Sequence, residues 1–191
     1  MNKLQAIKEY ARENKTPIMQ DEGMAFLIDF ITERNYHQIL ELGTAVGYSA
    51  IQMALADDDN YITTIERDLS FVAIAQRNIQ DMKLDHRIRI VPRDAYDYEP
   101  DQQFDFIFID AAKAQYQGLF EKYYPFLNPG GACFFDNMAF HGLVEHPEET
   151  QNRNTKQLVR KIKDFREFIR GNEIIQSEYY EDVGDGVLIV Y

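Results

Sequence analysis

Three oxygen-bearing side chains and one lysine stand directly after two strongly apolar segments of the chain. The run FDFIFID ends on Asp110, and the run GACFFDN ends on Asp136 and Asn137. Two carboxylates and an amide are ligands that hard cations prefer, and three protein oxygens leave positions for substrate oxygens and water. Two buried carboxylates without a cation would repel each other. The pattern predicts a site for Mg²⁺ or another divalent cation such as Mn²⁺, although either aspartate alone could be an ordinary cap.

Lys113 lies three residues after Asp110, about one helical turn further along the chain. A nearby divalent cation and partial burial favour the neutral form of a lysine side chain. A neutral amine could take a proton from a substrate hydroxyl that the cation has acidified. The alternative is a solvent-facing lysine in the first turn of a helix, where a positive charge opposes the helix dipole. We predict Lys113 as the general base, with Asp110 as its catalytic neighbour.

The elements that must position these residues follow from the alternation of apolar runs and amphipathic segments. Apolar runs occupy 38–43, 61–66, 88–92, 104–110 and 131–137, and amphipathic segments lie near 20–34, 48–56, 68–82, 114–127 and 154–170. Continuous apolar strands separated by helices predict a parallel sheet that is covered on both faces. Runs near 174–181 and 186–191 are joined by the turn sequence VGDG and predict an antiparallel edge pair. The predicted fold is a doubly wound, Rossmann-like α/β domain with seven strands, whose ligands bind at the carboxyl ends of the strands.

Length and composition predict one domain over residues 1–191, with 1–36 as an amino-terminal helical arm. The amino-terminal segment lacks the apolar region of a signal peptide, and no run approaches the roughly 18 apolar residues of a membrane span. We therefore expect a cytoplasmic protein that does not contact a membrane. The single cysteine, Cys133, lies in the apolar run GACFF and is expected to be a buried thiol.

Charge is distributed unevenly along the chain. The net charge of −12 argues against a polyanionic partner. Residues 152–170, the basic segment, carry seven lysines and arginines against two acidic residues, a local charge of +5. This segment is compatible with a nucleic-acid-binding face or with a solvated helix face, and the two alternatives stay open.

A glycine-containing loop, ELGTAVGYS, follows the first predicted strand. Gly43 and Gly47 allow the backbone to turn tightly and to approach a ligand. Glu41 would repel a pyrophosphate, so a cofactor with a cationic group is favoured over a dinucleotide such as NAD. Glu66 ends the second strand, where a carboxylate can accept hydrogen bonds from ribose hydroxyls. The alternative role of Glu66, a helix cap, would be better served by Asp68.

The third predicted strand ends in the sequence PRDAY. Asp94 and Ala95 could meet the edge of an adenine ring, with Asp94 accepting a hydrogen bond from the exocyclic amine. A plain turn is the alternative for these two residues. Taken with the glycine loop and Glu66, they indicate a cofactor that contains adenosine.

The motifs ELGTAVGYS, IERD, RDA, FIDAAKAQY, FFDNM and VGDGVLIVY, in this order, resemble those of the class I S-adenosylmethionine-dependent methyltransferases. Specifically, they resemble the metal-dependent catechol and caffeoyl-CoA O-methyltransferase group. The resemblance implies a homodimer, and it implies functional residues in three sets. These are cofactor binding by Met19, Glu41, Gly43, Ser49, Glu66, Asp94, Ala95 and Asp110, metal binding by Asp110, Asp136 and Asn137, and proton removal by Lys113.

Within this group, TPIMQDEGMAFLIDF beside GYSAIQMALA looks most like the bacterial tRNA 5-hydroxyuridine methyltransferases. In these enzymes the methionine that matches Met19 contacts the cofactor. A 5-hydroxyuridine presents two vicinal oxygens, much as a catechol does. The predicted reaction is therefore methylation of the 5-hydroxyl of wobble 5-hydroxyuridine in tRNA, which gives 5-methoxyuridine. A small catechol-like phenol is the alternative substrate. Two interpretations from other classes of protein are a non-catalytic adenosine-binding module and a nicotinamide dehydrogenase.

Overall fold

The computed structural model describes residues 3–191. Within these residues the α-helices are α1 (Lys3–Glu13), α2 (Asp21–Glu33), α3 (Tyr48–Ala56), α4 (Leu69–Asp81), α5 (Tyr116–Tyr123) and α6 (Arg153–Arg170). The strands are β1 (Gln38–Leu42), β2 (Tyr61–Glu66), β3 (Ile88–Pro92), β4 (Phe104–Ile109), β5 (Leu127–Phe135), β6 (Ser177–Tyr180) and β7 (Val187–Val190). The predicted arm corresponds to α1 and α2, and its first two residues lie outside the described part of the chain.

The strands form one seven-stranded sheet in the order β3-β2-β1-β4-β5-β7-β6. Strands β1 to β5 pair in parallel, whereas β7 pairs antiparallel with both β5 and β6. The predicted mostly parallel sheet with an antiparallel carboxyl-terminal pair is therefore confirmed. The direction of strand order reverses between β1 and β4, and this switch point is where ligands bind in sheets of this type.

Both faces of the sheet are buried, as the continuous apolar runs predicted. Alternate residues of β4 point to opposite faces: Phe106 and Phe108 pack with residues of α1 to α4, whereas Ile107 and Ile109 pack with residues of α5 and α6. The same division applies to β5, in which Cys133 is fully buried among the residues on the α5 and α6 side. Burial raises the pKa of this thiol, in agreement with its predicted structural role.

Helix α6 packs through a narrow apolar stripe and presents the basic segment to solvent. Asn152 begins the helix by accepting hydrogen bonds from the backbone amides of the second and third residues after it, and the helix is followed by Gly171. Its buried residues recur every three or four positions at Val159, Ile162, Phe165 and Ile169. The remaining faces carry exposed cations, including Arg153, Lys156, Arg160, Lys161, Lys163 and Arg170.

Two elements differ in length from the predictions. The helix predicted near 114–127 is shorter and ends at Tyr123, because Pro125 has no backbone N–H to donate to a carbonyl of the preceding turn. Short 3₁₀ turns at 113–115 and 124–126 flank it instead. The strand predicted from residue 174 begins at Ser177, because Asn172 accepts a hydrogen bond from the amide of Ile174 and forms a turn there. Among the helices of residues 3–191, none combines the length and apolarity of a membrane span.

Candidate active site

A cleft of about 880 Å³ opens at the carboxyl ends of the parallel strands. The predicted site residues that line it are Met19, Gly43, Glu66, Asp94, Ala95, Asp110, Lys113 and Asn137. The other three predicted residues, Glu41, Ser49 and Asp136, are not part of its lining. Most of the predicted residues therefore lie in one cleft at the carboxyl ends of the strands, where ligands bind in sheets of this type.

Gly43 joins the ends of β1 and β4 at the floor of the cleft. Its backbone has φ of +104°, and a side chain here would place Cβ 2.7 Å from the carbonyl oxygen of Asp110. Its amide donates to the carbonyl of Ile65, and the amide of Asp110 donates to the carbonyl of Leu42. Glycine is therefore required here, both by the backbone conformation and by the close approach of the Asp110 main chain.

The carboxylate of Glu66 is held by two backbone amides at the cleft wall. Its Oε2 accepts from Ala45 at 3.0 Å, and its Oε1 accepts from Asp68 at 2.9 Å. Asp68 itself caps α4 by accepting a hydrogen bond from the amide of Ser70 at 2.8 Å. The helix cap is therefore Asp68, as predicted, and Glu66 has a fixed orientation in the cleft. Its ribose contact stays a prediction.

Asp94 combines a turn contact with a position in the cleft. Its Oδ1 accepts from the amide of Tyr96 at 2.9 Å, and Arg67 donates to its Oδ2 at 3.3 Å. The backbone hydrogen bond from Tyr96 holds the pKa of Asp94 below its usual value. The lower pKa keeps this carboxylate ionised. Asp94 and the neighbouring Ala95 both line the cleft. The plain turn that was the alternative for Asp94 and Ala95 is present, and both residues line the cleft as well.

Glu41 is completely buried, as are Thr44 and Thr64 beside it, whereas Ser49 is partly exposed. The hydroxyl groups of Ser49 and Thr64 donate to its two carboxylate oxygens, and Thr64 is in turn 2.6 Å from the hydroxyl of Thr44. Burial raises the pKa of Glu41 to about 8 despite these hydrogen bonds. The structure brings Glu41 and Ser49 into contact, which the sequence did not predict. Their contact with a cofactor stays a prediction.

The ammonium group of Lys113 lies between two of the predicted metal ligands. Its Nζ is 3.3 Å from Oδ1 of Asp110 and donates a hydrogen bond to Oδ1 of Asn137. The side chains of Lys113 and Asp110 are 23% and 25% exposed. Lys113 therefore faces the oxygen-bearing groups of the site, and the alternative of a solvent-facing lysine is wrong.

Asp136 completes the predicted metal set from beneath the cleft. It is 3% exposed, its Oδ1 accepts from the amide of Asn137 at 2.7 Å, and its main-chain oxygen accepts from the buried hydroxyl of Tyr116. Burial, and then the charge of Asp110, raise the pKa of Asp136 to about 7. Burial also raises the pKa of Asp110, although Lys113 opposes this effect.

The side-chain oxygens of Asp110, Asp136 and Asn137 are ligands that suit a hard cation. Asp110 and Asn137 both direct a side-chain oxygen at one positive group, Lys113, and burial raises the pKa values of Asp110 and Asp136, so a divalent cation here would stabilise the ionised form of both carboxylates. Residues 3–191 contain no group of three His, Cys, Asp or Glu side chains that could hold a metal ion. The predicted set differs from such a group because its third ligand is an amide, which is an oxygen donor of the kind that Mg²⁺ accepts.

Sequence reasoning missed Asp185, which lines the cleft and is 7% exposed. Its Oδ2 accepts from Nδ2 of Asn137 at 3.2 Å, and its Oδ1 accepts from the amide of His141 at 2.6 Å. The sequence VGDG indicated only a turn. The missing information was that β7 pairs with β5, because this pairing places the turn beside the residues that follow β5.

A sequence model of the family described as O-methyltransferase matches residues 1–191. The chain belongs to the O-methyltransferase family. Among similar curated proteins, a catechol O-methyltransferase from Niastella koreensis is 32% identical over 76% of this chain and 67% of that protein. The predicted class, an S-adenosylmethionine-dependent O-methyltransferase, is confirmed, whereas the predicted tRNA specificity and metal dependence stay predictions.

Solved structures of O-methyltransferases agree with the fold. A Staphylococcus aureus protein named as a candidate caffeoyl-CoA O-methyltransferase is 33% identical, with a TM-score of 0.93 over 98% of this chain and 90% of that chain. An O-methyltransferase from Bacillus cereus, solved in complex with S-adenosylhomocysteine, is 25% identical, with a TM-score of 0.85 over 100% of this chain and 90% of that chain. S-adenosylhomocysteine is what S-adenosylmethionine becomes after it has donated its methyl group.

Proposed function

We propose that this O-methyltransferase uses S-adenosylmethionine and a divalent cation to methylate a hydroxyl group that has a second oxygen beside it. The observation that carries the proposal is the convergence of Asp110, Lys113 and Asn137 at the floor of the cleft, next to the buried Asp136. A base and a set of oxygen ligands within one site are what such a reaction needs.

The cofactor would occupy the part of the cleft at the ends of β1 to β3. Glu66, Asp94 and Ala95 line this part. Met19, from the segment before α2, also lines the cleft. Glu66 is oriented by two backbone amides, and an ionised carboxylate is a strong acceptor for ribose hydroxyls. S-adenosylmethionine supplies a methyl group on a sulfonium centre, and the B. cereus complex supports this choice.

Asp110, Asp136 and Asn137 would hold the cation. A bound divalent cation polarises a coordinated hydroxyl group and favours its ionisation. The two carboxylates would supply most of the negative charge that attracts it, and the amide would add a neutral oxygen.

The residues of the chain contribute proton removal, orientation and exclusion of water. Lys113 takes the proton from the substrate hydroxyl, whose oxygen then forms a bond to the methyl carbon as the bond from that carbon to sulfur breaks. The ion pair between Asp110 and Lys113, three residues apart, restrains the orientation of the lysine side chain. Apolar groups including Leu119, Phe140 and Leu158 line the cleft and limit access of water to the reacting atoms.

The first substrate we propose is 5-hydroxyuridine at the wobble position of tRNA. Support comes from α6, because Leu158 of this helix lines the cleft while Arg153, Lys156 and Arg160 are exposed on it. Exposed cations on a helix that borders the cleft suit a polyanionic substrate whose reacting base enters that cleft. In this proposal the tRNA is bound through this helix, in one chain or in both chains of a homodimer.

A small catechol-like phenol is the second candidate. The net charge of −12 disfavours a polyanion over most of the surface, and the N. koreensis relative is named for catechol. Both substrates present the same two vicinal oxygens, so they need the same chemistry and differ only in what contacts the rim of the cleft.

The test is methyl transfer from tritiated S-adenosylmethionine to two acceptors, pyrocatechol and tRNA that contains 5-hydroxyuridine. Nucleoside analysis of tRNA from a strain without this gene provides the second measurement. Labelled 5-methoxyuridine, together with accumulated 5-hydroxyuridine in the deletion strain, is the expected result. An unchanged nucleoside profile with labelled catechol would assign the small phenol, and no labelled product with either acceptor would contradict the proposed reaction.

A further inference from the structure

The turn between β6 and β7, residues 183–186, is fixed against the loop that follows β5. The amide of Met138 donates to the carbonyl of Gly186 at 2.9 Å, and the amide of Ala139 donates to the carbonyl of Asp185 at 2.8 Å. Gly186 has φ of +81°, and a Cβ here would lie 2.8 Å from the amide nitrogen of Ala139. The backbone therefore holds the side chain of Asp185 in one place beside the candidate cation site.

Asp185 determines which end of the Asn137 amide faces the cleft. An ionised carboxylate only accepts hydrogen bonds, so the end of the amide that lies 3.2 Å from Asp185 must be the NH₂ group. The ammonium group of Lys113 only donates, and it contacts the opposite end, Oδ1. Asn137 is thus held between an acceptor and a donor, with its oxygen directed into the site.

The backbone of Asn137 makes this external restraint important. Its φ of +58° is a left-handed conformation, which asparagine tolerates better than most residues. The backbone fixes where the side chain leaves the loop, but rotation of the amide by half a turn would exchange its oxygen and nitrogen at little steric cost. Only the hydrogen-bonding partners distinguish the two orientations.

We propose that Asp185 is a positioning residue, which orients the Asn137 amide so that an oxygen and not an NH₂ group is presented to a divalent cation. The inference rests on the proposed function, since it concerns the same cation site. Cations such as Mg²⁺ and Mn²⁺ bind oxygen and are repelled by the hydrogens of an NH₂ group, so the wrong orientation removes one of three protein ligands.

The first test is Asp185→Asn, with Mn²⁺ binding measured by electron paramagnetic resonance and calorimetry. The native carboxylate offers two acceptors, one to His141 and one to Asn137, whereas an amide offers one oxygen and one NH₂ group. When that oxygen serves the amide of His141, the new NH₂ group pairs with Oδ1 of Asn137 and turns the NH₂ group of Asn137 into the cation site. We expect Mn²⁺ affinity to fall roughly 10–100-fold, the usual effect of a residue that supports a metal ligand.

The matched control is Asp182→Asn, an equal loss of charge at an exposed position of the same hairpin. It should bind Mn²⁺ as the wild type does. Both single variants should keep the wild-type affinity for S-adenosylmethionine, because the cofactor half of the cleft is unchanged. Equal Mn²⁺ affinity in Asp185→Asn and in the wild type would overturn the proposal.

The double variant Asn137→Asp with Asp185→Asn distinguishes orientation from a merely structural effect. Position 137 then carries an oxygen on both sides, and the charge of the pair is the same as in the wild type. Mn²⁺ affinity should recover to within a few-fold of the wild-type value. If it stays low, Asp185 only supports the loop and the positioning role is wrong. If the wild type itself binds no Mn²⁺, the proposed cation dependence fails, and the inference fails with it.

Discussion

Lys113 donates a hydrogen bond to the side-chain oxygen of Asn137, although the two residues are 24 positions apart and follow different strands. The contact joins the candidate base to a candidate metal ligand. It also means that the base and the cation would act on the same substrate oxygen from neighbouring positions, which is the arrangement that proton removal from a coordinated hydroxyl requires.

Replacing Lys113 by alanine should lower the rate of methyl transfer roughly 10²–10⁴-fold, because the reaction loses a positioned proton acceptor. Lys113→Arg is the matched control for charge. It keeps the cation but cannot deprotonate, so it should be impaired to a similar degree. The rate of Lys113→Ala should rise partly toward the wild-type rate at high pH, where the substrate hydroxyl ionises without help. Steady-state kinetics between pH 6 and about 10 would measure this, and wild-type turnover in either variant at neutral pH would contradict the role.

Asp136→Ala should abolish methyl transfer and leave S-adenosylmethionine binding largely intact. The reason is that Asp136 is one of the three proposed cation ligands and is not among the residues that line the cofactor end of the cleft. Calorimetry gives the cofactor affinity, and activity with and without EDTA gives the cation dependence. Restoration by Mg²⁺ or Mn²⁺ after EDTA is expected for the wild type only. Full wild-type activity in excess EDTA would be incompatible with a metal site.

Glu41 should make the stability of the cofactor-free protein depend on pH. Its pKa is about 8 in the folded chain, against an ordinary value of 4.5, so the folded state holds one more proton than the unfolded state between these limits. The free energy of unfolding should therefore decrease as pH rises through this window, by at most about 1.4 kcal/mol per pH unit from this group.

The variant Glu41→Gln cannot titrate, so its free energy of unfolding should fall less steeply with pH than that of the wild type. Urea unfolding at several pH values between pH 5 and about 8 would measure both slopes. Glu33→Gln, at an exposed position, is the control and should leave the slope unchanged. Identical slopes for Glu41→Gln and the wild type would show that burial does not perturb this carboxyl group.

Reversing the charges of Arg153 and Lys156 tests the tRNA proposal. Each phosphate neutralised by the protein releases counterions, so affinity should fall steeply with salt in the wild type and less steeply in the double variant. Methylation of pyrocatechol should be spared, because the substitutions lie on the exposed side of α6. Arg170→Glu, about 25 Å away at the other end of the helix, is the control and should bind tRNA nearly as the wild type does. Equal salt dependence in all three proteins would remove α6 from the tRNA-binding surface.

The sequence predicted best those features that depend on local spacing or on the order of parallel strands. Lys113 and Asp110 are three residues apart, so their contact follows from one turn of chain. Asp110 and Asn137 follow neighbouring strands, and parallel pairing of β4 with β5 brings them together. The contact between Asp185 and Asn137 was not predicted, because it depends on the partner that β7 selects in the sheet, and no local pattern specifies that partner.

The burial of Glu41 illustrates a second limit. The sequence places both Glu41 and Glu66 at the end of a predicted strand. A carboxylate at such a position is expected to face the ligand. The structure separates the two, because Ser49 and Thr64 supply hydroxyl donors that hold Glu41 inside the protein. Donors that come from a helix and from a neighbouring strand cannot be assigned to a carboxylate before the packing is known.

The close approach of Gly43 to the main chain of Asp110 has a consequence for how this enzyme can change its substrate. One backbone contact joins the loop proposed for the cofactor to the loop proposed for the cation, so the distance between methyl donor and methyl acceptor is set by the sheet itself. The segments around Phe140 and Leu158 border the cleft without taking part in that contact. Grafting different sequences onto these segments should redirect the enzyme to acceptors of another size or charge while the reacting atoms keep their spacing.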